Sequence, residues 1–126
     1  MFEKIIALVV VLVLVFSLSA CSKSYTNISN EELITMLETP ANYQFLDVRT
    51  SAEFYDSKIP GFNINIDYYL LQDDYSLLER LDKNLPVVVM CNSGNRSDDA
   101  AKILVKEGFT VYNLTAGIQG WTGETE

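Results

Sequence analysis

Residues 85–90 read Leu-Pro-Val-Val-Val-Met, an apolar run with no polar alternation, and Cys91-Asn92-Ser93-Gly94-Asn95-Arg96-Ser97 follows directly. A strand with one wet face alternates apolar and polar residues; a continuous run suits a central parallel strand covered on both faces. Such a strand requires helices on either side of its sheet. The flanking sequence supplies them. Ser29-Asn30-Glu31-Glu32 is a capping-box pattern, and it opens a helix carrying Leu33, Ile34, Met36 and Leu37 that stops near Pro40. Tyr43 to Val48 reads as a short strand, and Thr50 or Ser51 caps a brief helix through Glu53, Phe54 and Tyr55. Pro60-Gly61 marks a turn, and Asn63 to Ile66 alternates like an exposed extended segment. Leucines at 70, 71, 77, 78 and 81 predict a helix over 70–81. Ser97 to Glu107 predicts a helix ended by Gly108, 109–114 a last strand, and 117–121 a closing turn of helix. Strands alternating with helices predict an α/β fold with an open, mostly parallel sheet. At 126 residues the chain is one domain.

The N-terminus stands apart from that domain. Met1-Phe2-Glu3-Lys4 precedes an unbroken apolar run from Ile5 to Phe16, too short for a comfortable bilayer span and suited to the h-region of an export signal. A retained anchor helix extended through Ser17 to Ala20 is the alternative. Leu18-Ser19-Ala20-Cys21 resembles the bacterial lipobox, which implies cleavage before Cys21 and a diacylglyceryl group on its sulfur. Acyl chains anchor because each buried methylene contributes about 0.8 kcal/mol. The expected organisation is a signal peptide over 1–20, a lipidated tether over 21–27 and a folded domain over 28–123. The protein is thus expected to be exported and held by lipid on the extracytoplasmic face of a bacterial membrane.

The chain holds two cysteines and no histidine. With Cys21 lipidated, Cys91 is a lone thiol in an oxidising compartment, either buried and inert or reactive. The inventory rules out a zinc site of the usual Cys/His kind and a Cys–His nucleophile pair. The net charge of −8 argues against nucleic acid and anionic lipid surfaces as ligands.

In parallel α/β sheets, ligands sit beyond the carboxyl ends of the strands, where Cys91 falls. A short curl from strand to helix, eased by Gly94, turns successive N–H groups inward as an anion-binding nest. The helix that follows adds its unpaired N–H groups and the positive end of its dipole. Helix N-termini and nearby cations favour a thiolate over a thiol, so this setting can replace the missing imidazole, with Arg96 as the fixed positive charge.

Cysteine, four residues with a central glycine, arginine and serine resemble the active-site loop of rhodanese-like sulfurtransferase domains. The resemblance extends over Tyr25 to Trp121: Asp47-Val48-Arg49, Glu53-Phe54, Ile59-Pro60-Gly61 with Asn63-Ile64, and Gly108-Phe109 through Val111-Tyr112-Asn113-Leu114 to Gly117-Ile118 and Trp121. It implies a rhodanese-like open parallel sheet flanked by helices and a two-step reaction. Cys91 takes a sulfane sulfur from a small donor, thiosulfate or a persulfide or polysulfide, and an acceptor thiol or other thiophile, small or protein-borne, removes it. No metal or organic cofactor is implied. Cys91 and Arg96 are the expected catalytic residues, with Asn92, Ser93, Gly94, Asn95 and Ser97 forming the anion-binding loop. Asp47 is expected beside that loop, orienting its N–H groups or Arg96. Phosphatase and arsenate reductase relatives of this fold carry a loop one residue longer, which disfavours tetrahedral oxyanions here.

Departures from the family pattern bear on the donor. Asn92 stands where many thiosulfate-using members have a basic residue, Ser57-Lys58-Ile59 replaces Gly-His-Ile, and Asp98 and Asp99 place acid in the first helical turn. Arg49 and Glu53 read as a structural ion pair, Trp121 as a core plug, and Tyr68, Tyr69 and Tyr75 as partly buried packing residues with an acceptor surface as the alternative. Two other functions stay open: a non-catalytic partner-binding module and a thiol redox relay at the membrane.

Overall fold

The computed structural model describes residues 24–126; the expected signal peptide and the expected lipidation at Cys21 lie outside them. Five strands form one sheet in the order β1-β5-β4-β2-β3. They are β1 (Thr26–Ile28), β2 (Gln44–Asp47), β3 (Ile64–Asn65), β4 (Val87–Met90) and β5 (Val111–Leu114), and all four neighbouring pairs run parallel. The helices are α1 (Asn30–Leu37), α2 (Ser51–Asp56), α3 (Tyr68–Leu71) and α4 (Asn95–Lys106), with 3-10 turns at Pro40–Asn42 and Tyr75–Arg80. The result is a single-domain α/β fold. Thr26 and Asn27, expected in the tether, belong to the sheet through β1.

The apolar run became the middle strand, and its side chains divide between two cores. Val87, Val89 and Cys91 pack with Ala100, Ala101 and Leu104 of α4, and with Leu71 and Leu78. Val88 and Met90 face the other way, onto Phe45, Leu33, Ile59 and Phe62. Each of these β4 residues is fully buried, which explains why no polar residue interrupts the run.

Local signals set the helix ends. Ser29 caps α1 and Thr50 caps α2, both as complete capping boxes with Glu32 and Glu53. Helix α4 stops where Gly108 N–H donates to Val105 O at 3.1 Å and Phe109 N–H to Leu104 O at 3.0 Å, the paired bonds of a Schellman stop.

Three expectations are corrected. The helix over 70–81 is two pieces, α3 and the 3-10 turn, separated at Gln72–Asp74. Asp74 starts the second piece by accepting from Ser76 N–H at 3.1 Å, so its side chain competes with a continuing helix. Asn63–Ile66 is extended, but only Asn63 is exposed: β3 pairs with β2, and Ile66 is buried in the core with Ala100 and Ala101 of α4. Residues 117–121 form successive hydrogen-bonded turns rather than a helix. Trp121 is only partly buried, against the core on the α1 side.

Candidate active site

The carboxyl ends of β2, β4 and β5 lie side by side, and Cys91 follows the middle one. Its Sγ is fully buried. Gly94 N–H points at that sulfur from 3.1 Å. The Ser97 hydroxyl lies 3.4 Å from it and 3.2 Å from the Gly94 carbonyl. Against a thiol, Ser97 Oγ accepts; against a thiolate, it donates. The sulfur therefore sits between an N–H and a hydroxyl at the start of the 12-residue helix α4, where the helix dipole favours negative charge.

Gly94 is the N-cap of α4 with φ +97°. The left-handed region is costly for other residues, and a Cβ at Gly94 would also collide with the Thr115 carbonyl. Thr115 belongs to the turn after β5, which holds the loop from below. Ile118 N–H donates to Cys91 O at 2.9 Å and Gln119 N–H to Asn92 O at 3.0 Å. Gly117 allows that approach, since a Cβ there would overlap the Asn92 carbonyl. The loop is thus tied at both ends, to α4 ahead and to the 115–119 turn behind.

Arg96 does not reach the sulfur through a hydrogen bond. Its guanidinium forms a two-pronged bridge to Glu53, at 2.7 and 3.0 Å. The bridge holds the Glu53 carboxyl at about 2, well below the usual carboxylate range. Arg96 provides the largest push; partial burial opposes it and the hydrogen bonds with Thr50 reinforce it. The same bridge pushes Arg96 upward, against burial, and the charge of a Cys91 thiolate adds in that direction. Arg96 therefore braces the loop against α2, and its charge is largely matched. Asn92, Ser93 and Asn95 are exposed on the loop's outer side.

Two partner assignments change. Asp47 touches neither the loop amides nor Arg96. It accepts from Arg49 instead, through the backbone N–H at 2.9 Å and the guanidinium at 2.7–3.1 Å. Arg49 is consequently not paired with Glu53. The reason is burial: Asp47 and Arg49 side chains are 0% and 5% exposed, and a buried charge needs a close, fully hydrogen-bonded partner. Residues two apart meet that need with little chain to order. Asn65 completes the unit by donating to the Asp47 and Arg49 carbonyls at 3.0 and 2.9 Å. This buried unit sets the turn from β2 to α2, and so places Glu53 opposite Arg96.

Beside the loop, Tyr69 of α3 lies under the Arg96 guanidinium at 5.8 Å from its ring centroid, and Tyr68 Oη meets Asp99 at 3.5 Å. Tyr69 and Tyr75 are exposed rather than packed, while Tyr68 is partly buried. Lys102 bridges Asp98 at 3.2 Å and Asp99 at 3.9 Å, moderating the acid in the first turn of α4. The grip of the 115–119 turn on the cysteine loop has no local sequence signal: Gly117 and Ile118 belong to the C-terminal pattern, but the bonds to Cys91 and Asn92 are tertiary.

The family model of the rhodanese-like domain matches residues 29–124. The chain belongs to the rhodanese-like family. A putative sulfurtransferase of Bacillus subtilis, YtwF, is 31% identical over 99 residues, covering 79% of this chain and 92% of that protein. The putative sulfur carrier protein YrkF of the same organism is 31% identical over 106 residues, 83% of this chain, but the chain spans only 55% of that relative. A rhodanese-related protein of Thermoplasma volcanium superposes with a TM-score of 0.68 at 27% identity, covering 81% of this chain and 98% of that one. The rhodanese-like domain here therefore sits in a family whose relatives are named for sulfur transfer and sulfur carriage.

Proposed function

We propose that this rhodanese-like domain is a sulfurtransferase that carries sulfur as a Cys91 persulfide. The carrying observation is the buried Cys91 Sγ, held between Gly94 N–H and the Ser97 hydroxyl at the head of α4. In the first step the Cys91 thiolate attacks the outer sulfur of a donor, forming an S–S bond as the donor's own bond to that sulfur breaks. In the second, an acceptor thiolate attacks the outer sulfur of the persulfide, and the electron pair of the breaking S–S bond returns to Cys91. The oxidation state of the transferred sulfur is passed along, so no external oxidant enters. Gly94 N–H and Ser97 Oγ–H steady the negative sulfur in the free and departing states. Arg96, through Glu53, keeps the loop in shape.

Persulfide or polysulfide donors fit this site better than thiosulfate. Asn92 brings no charge, and Arg96 has both prongs on Glu53, leaving little positive charge to draw a dianion. We further propose export and lipid attachment at Cys21, supported by the apolar run and the Leu18–Cys21 pattern.

The test is sulfur transfer to cyanide by the full chain, its Cys91→Ser variant and its Arg96→Ala variant. Loss of turnover in the serine variant, with partial loss in the alanine variant, supports the mechanism. A serine variant as active as the parent refutes it.

A further inference from the structure

Among the described residues, five large apolar side chains are exposed, and three of them, Tyr69, Leu70 and Tyr75, belong to the segment running from α3 into the 3-10 turn at 75–80. Leu70 is 61% exposed and Tyr69 53%. Leu71 and Leu78 anchor the segment in the core, so these side chains are left out by the geometry of a held segment. The Tyr69 end of the segment adjoins the candidate active site, because Tyr69 lies against the Arg96 guanidinium; Tyr75, at the other end, borders Phe109 and Glu107.

Exposed aromatic and leucine side chains next to a reactive loop are the makings of a protein contact. Charge selects the partner. The segment carries Asp67, Asp73, Asp74 and Glu79 against one cation, Arg80. Asp73, Asp74 and Glu79 are exposed, while Arg80 donates to the Asn65 carbonyl at 2.8 Å. Arg96, over Tyr69, is matched by Glu53, and Lys83 lies at the far end of the segment, beside Tyr75 and Glu79, so the carboxylates still outnumber the cations.

We propose that the 67–80 segment is a docking platform for a basic protein segment that presents the sulfur-accepting thiol. This rests on the sulfurtransferase reading and names its acceptor class. The apolar side chains supply contact area, the carboxylates attract the lysine- or arginine-bearing partner, and the thiol is delivered to the mouth of the Cys91 loop. The chemistry is the second step above: the acceptor sulfur bonds to the outer persulfide sulfur, the Cys91 S–S bond breaks, and the acceptor's proton passes to solvent as it ionises.

The test uses the full chain loaded with sulfur from polysulfide, and three acceptors: 2-mercaptoethanol and two short single-cysteine peptides differing only in flanking lysines or glutamates. The expected result is a second-order rate about tenfold or more higher for the lysine peptide at low salt, with the difference shrinking in about 1 M salt, where charges are screened within about 3 Å. A variant with Leu70→Ser and Asp73→Asn is expected to lose at least fivefold with the lysine peptide while its rate with 2-mercaptoethanol stays the same. Equal rates for the two peptides, or an unchanged rate in the variant, overturn the platform. Should no donor load Cys91, the transfer mechanism fails, and the platform is decided by fluorescence anisotropy with cysteine-to-serine versions of both peptides. Tighter binding of the lysine peptide that the double variant weakens supports it; equal binding overturns it.

Discussion

Replacing Glu53 by glutamine removes one negative charge while keeping the side chain's shape and an oxygen to accept from Thr50, as the native Oε1 does. The effect follows from the bridge to Arg96. A carboxyl lowered from 4.5 to about 2 prefers its ionised form in the folded protein by about 3 kcal/mol. The Glu53 side chain is 35% exposed and that of Arg96 18%, so water and salt weaken the pair, and about 1–2 kcal/mol is the expected loss at pH 7. The sign of the pH dependence follows from a depressed carboxylate. Its contribution is full above about 4.5 and disappears as pH falls toward about 2, because a proton then binds equally to both states. Urea unfolding of the parent and Glu53→Gln at pH 7, 5, 4 and 3 measures it. The stability gap is predicted to hold from pH 7 to 5 and to shrink at 4 and 3. A gap that is absent at pH 7, or that stays constant down to pH 3, refutes the assignment of the bridge as a charge effect.

Asp47→Ala strands the buried Arg49 guanidinium, and the predicted loss is about 3–5 kcal/mol, read as a fall in urea midpoint. Gly94→Ala forces a side chain into left-handed backbone against the Thr115 carbonyl; about 1–2 kcal/mol comes from the backbone alone, and loss of sulfur transfer is predicted to exceed loss of fold, since Gly94 N–H also contacts Cys91. Cys21→Ser is predicted to move the protein from the membrane to the soluble fraction of expressing bacterial cells if the signal is still cleaved, or to leave an unprocessed precursor; lipid labelling by radioactive palmitate is predicted to vanish in either event.

The architecture was legible where a local pattern had one physical outcome. The Leu85–Met90 run could only be satisfied by a two-sided strand, and the Ser29/Glu32 box specifies a helix start within four residues; Thr50 or Ser51 marked the next start, which the Thr50/Glu53 box fixes at Thr50. Gly94 and the helix behind it were readable for the same reason. The 70–81 segment was not, because leucines at 71, 78 and 81 face the core equally well from one helix or from two short pieces; only the capping by Asp74 decides. Partner choice was also hidden. Arg49 and Glu53 stand four apart, an ordinary helical pairing distance, yet burial gives Arg49 to Asp47 and frees Glu53 for Arg96, forty-three residues away. The hold of Ile118 on the Cys91 carbonyl is likewise a tertiary bond between the ends of two neighbouring strands, with no local signature.

The central claim is that Cys91 carries the sulfur, and intact-mass spectrometry addresses it most directly. The full chain and its Cys91→Ser variant are exposed to polysulfide and, separately, to thiosulfate, then measured before and after addition of an acceptor thiol. The prediction is a gain of about 32 Da, one sulfur atom, mapped to Cys91 by peptide analysis, formed with polysulfide more readily than with thiosulfate and discharged by the thiol. A thiol that stays bare with both donors, or an adduct that persists in the serine variant, contradicts it.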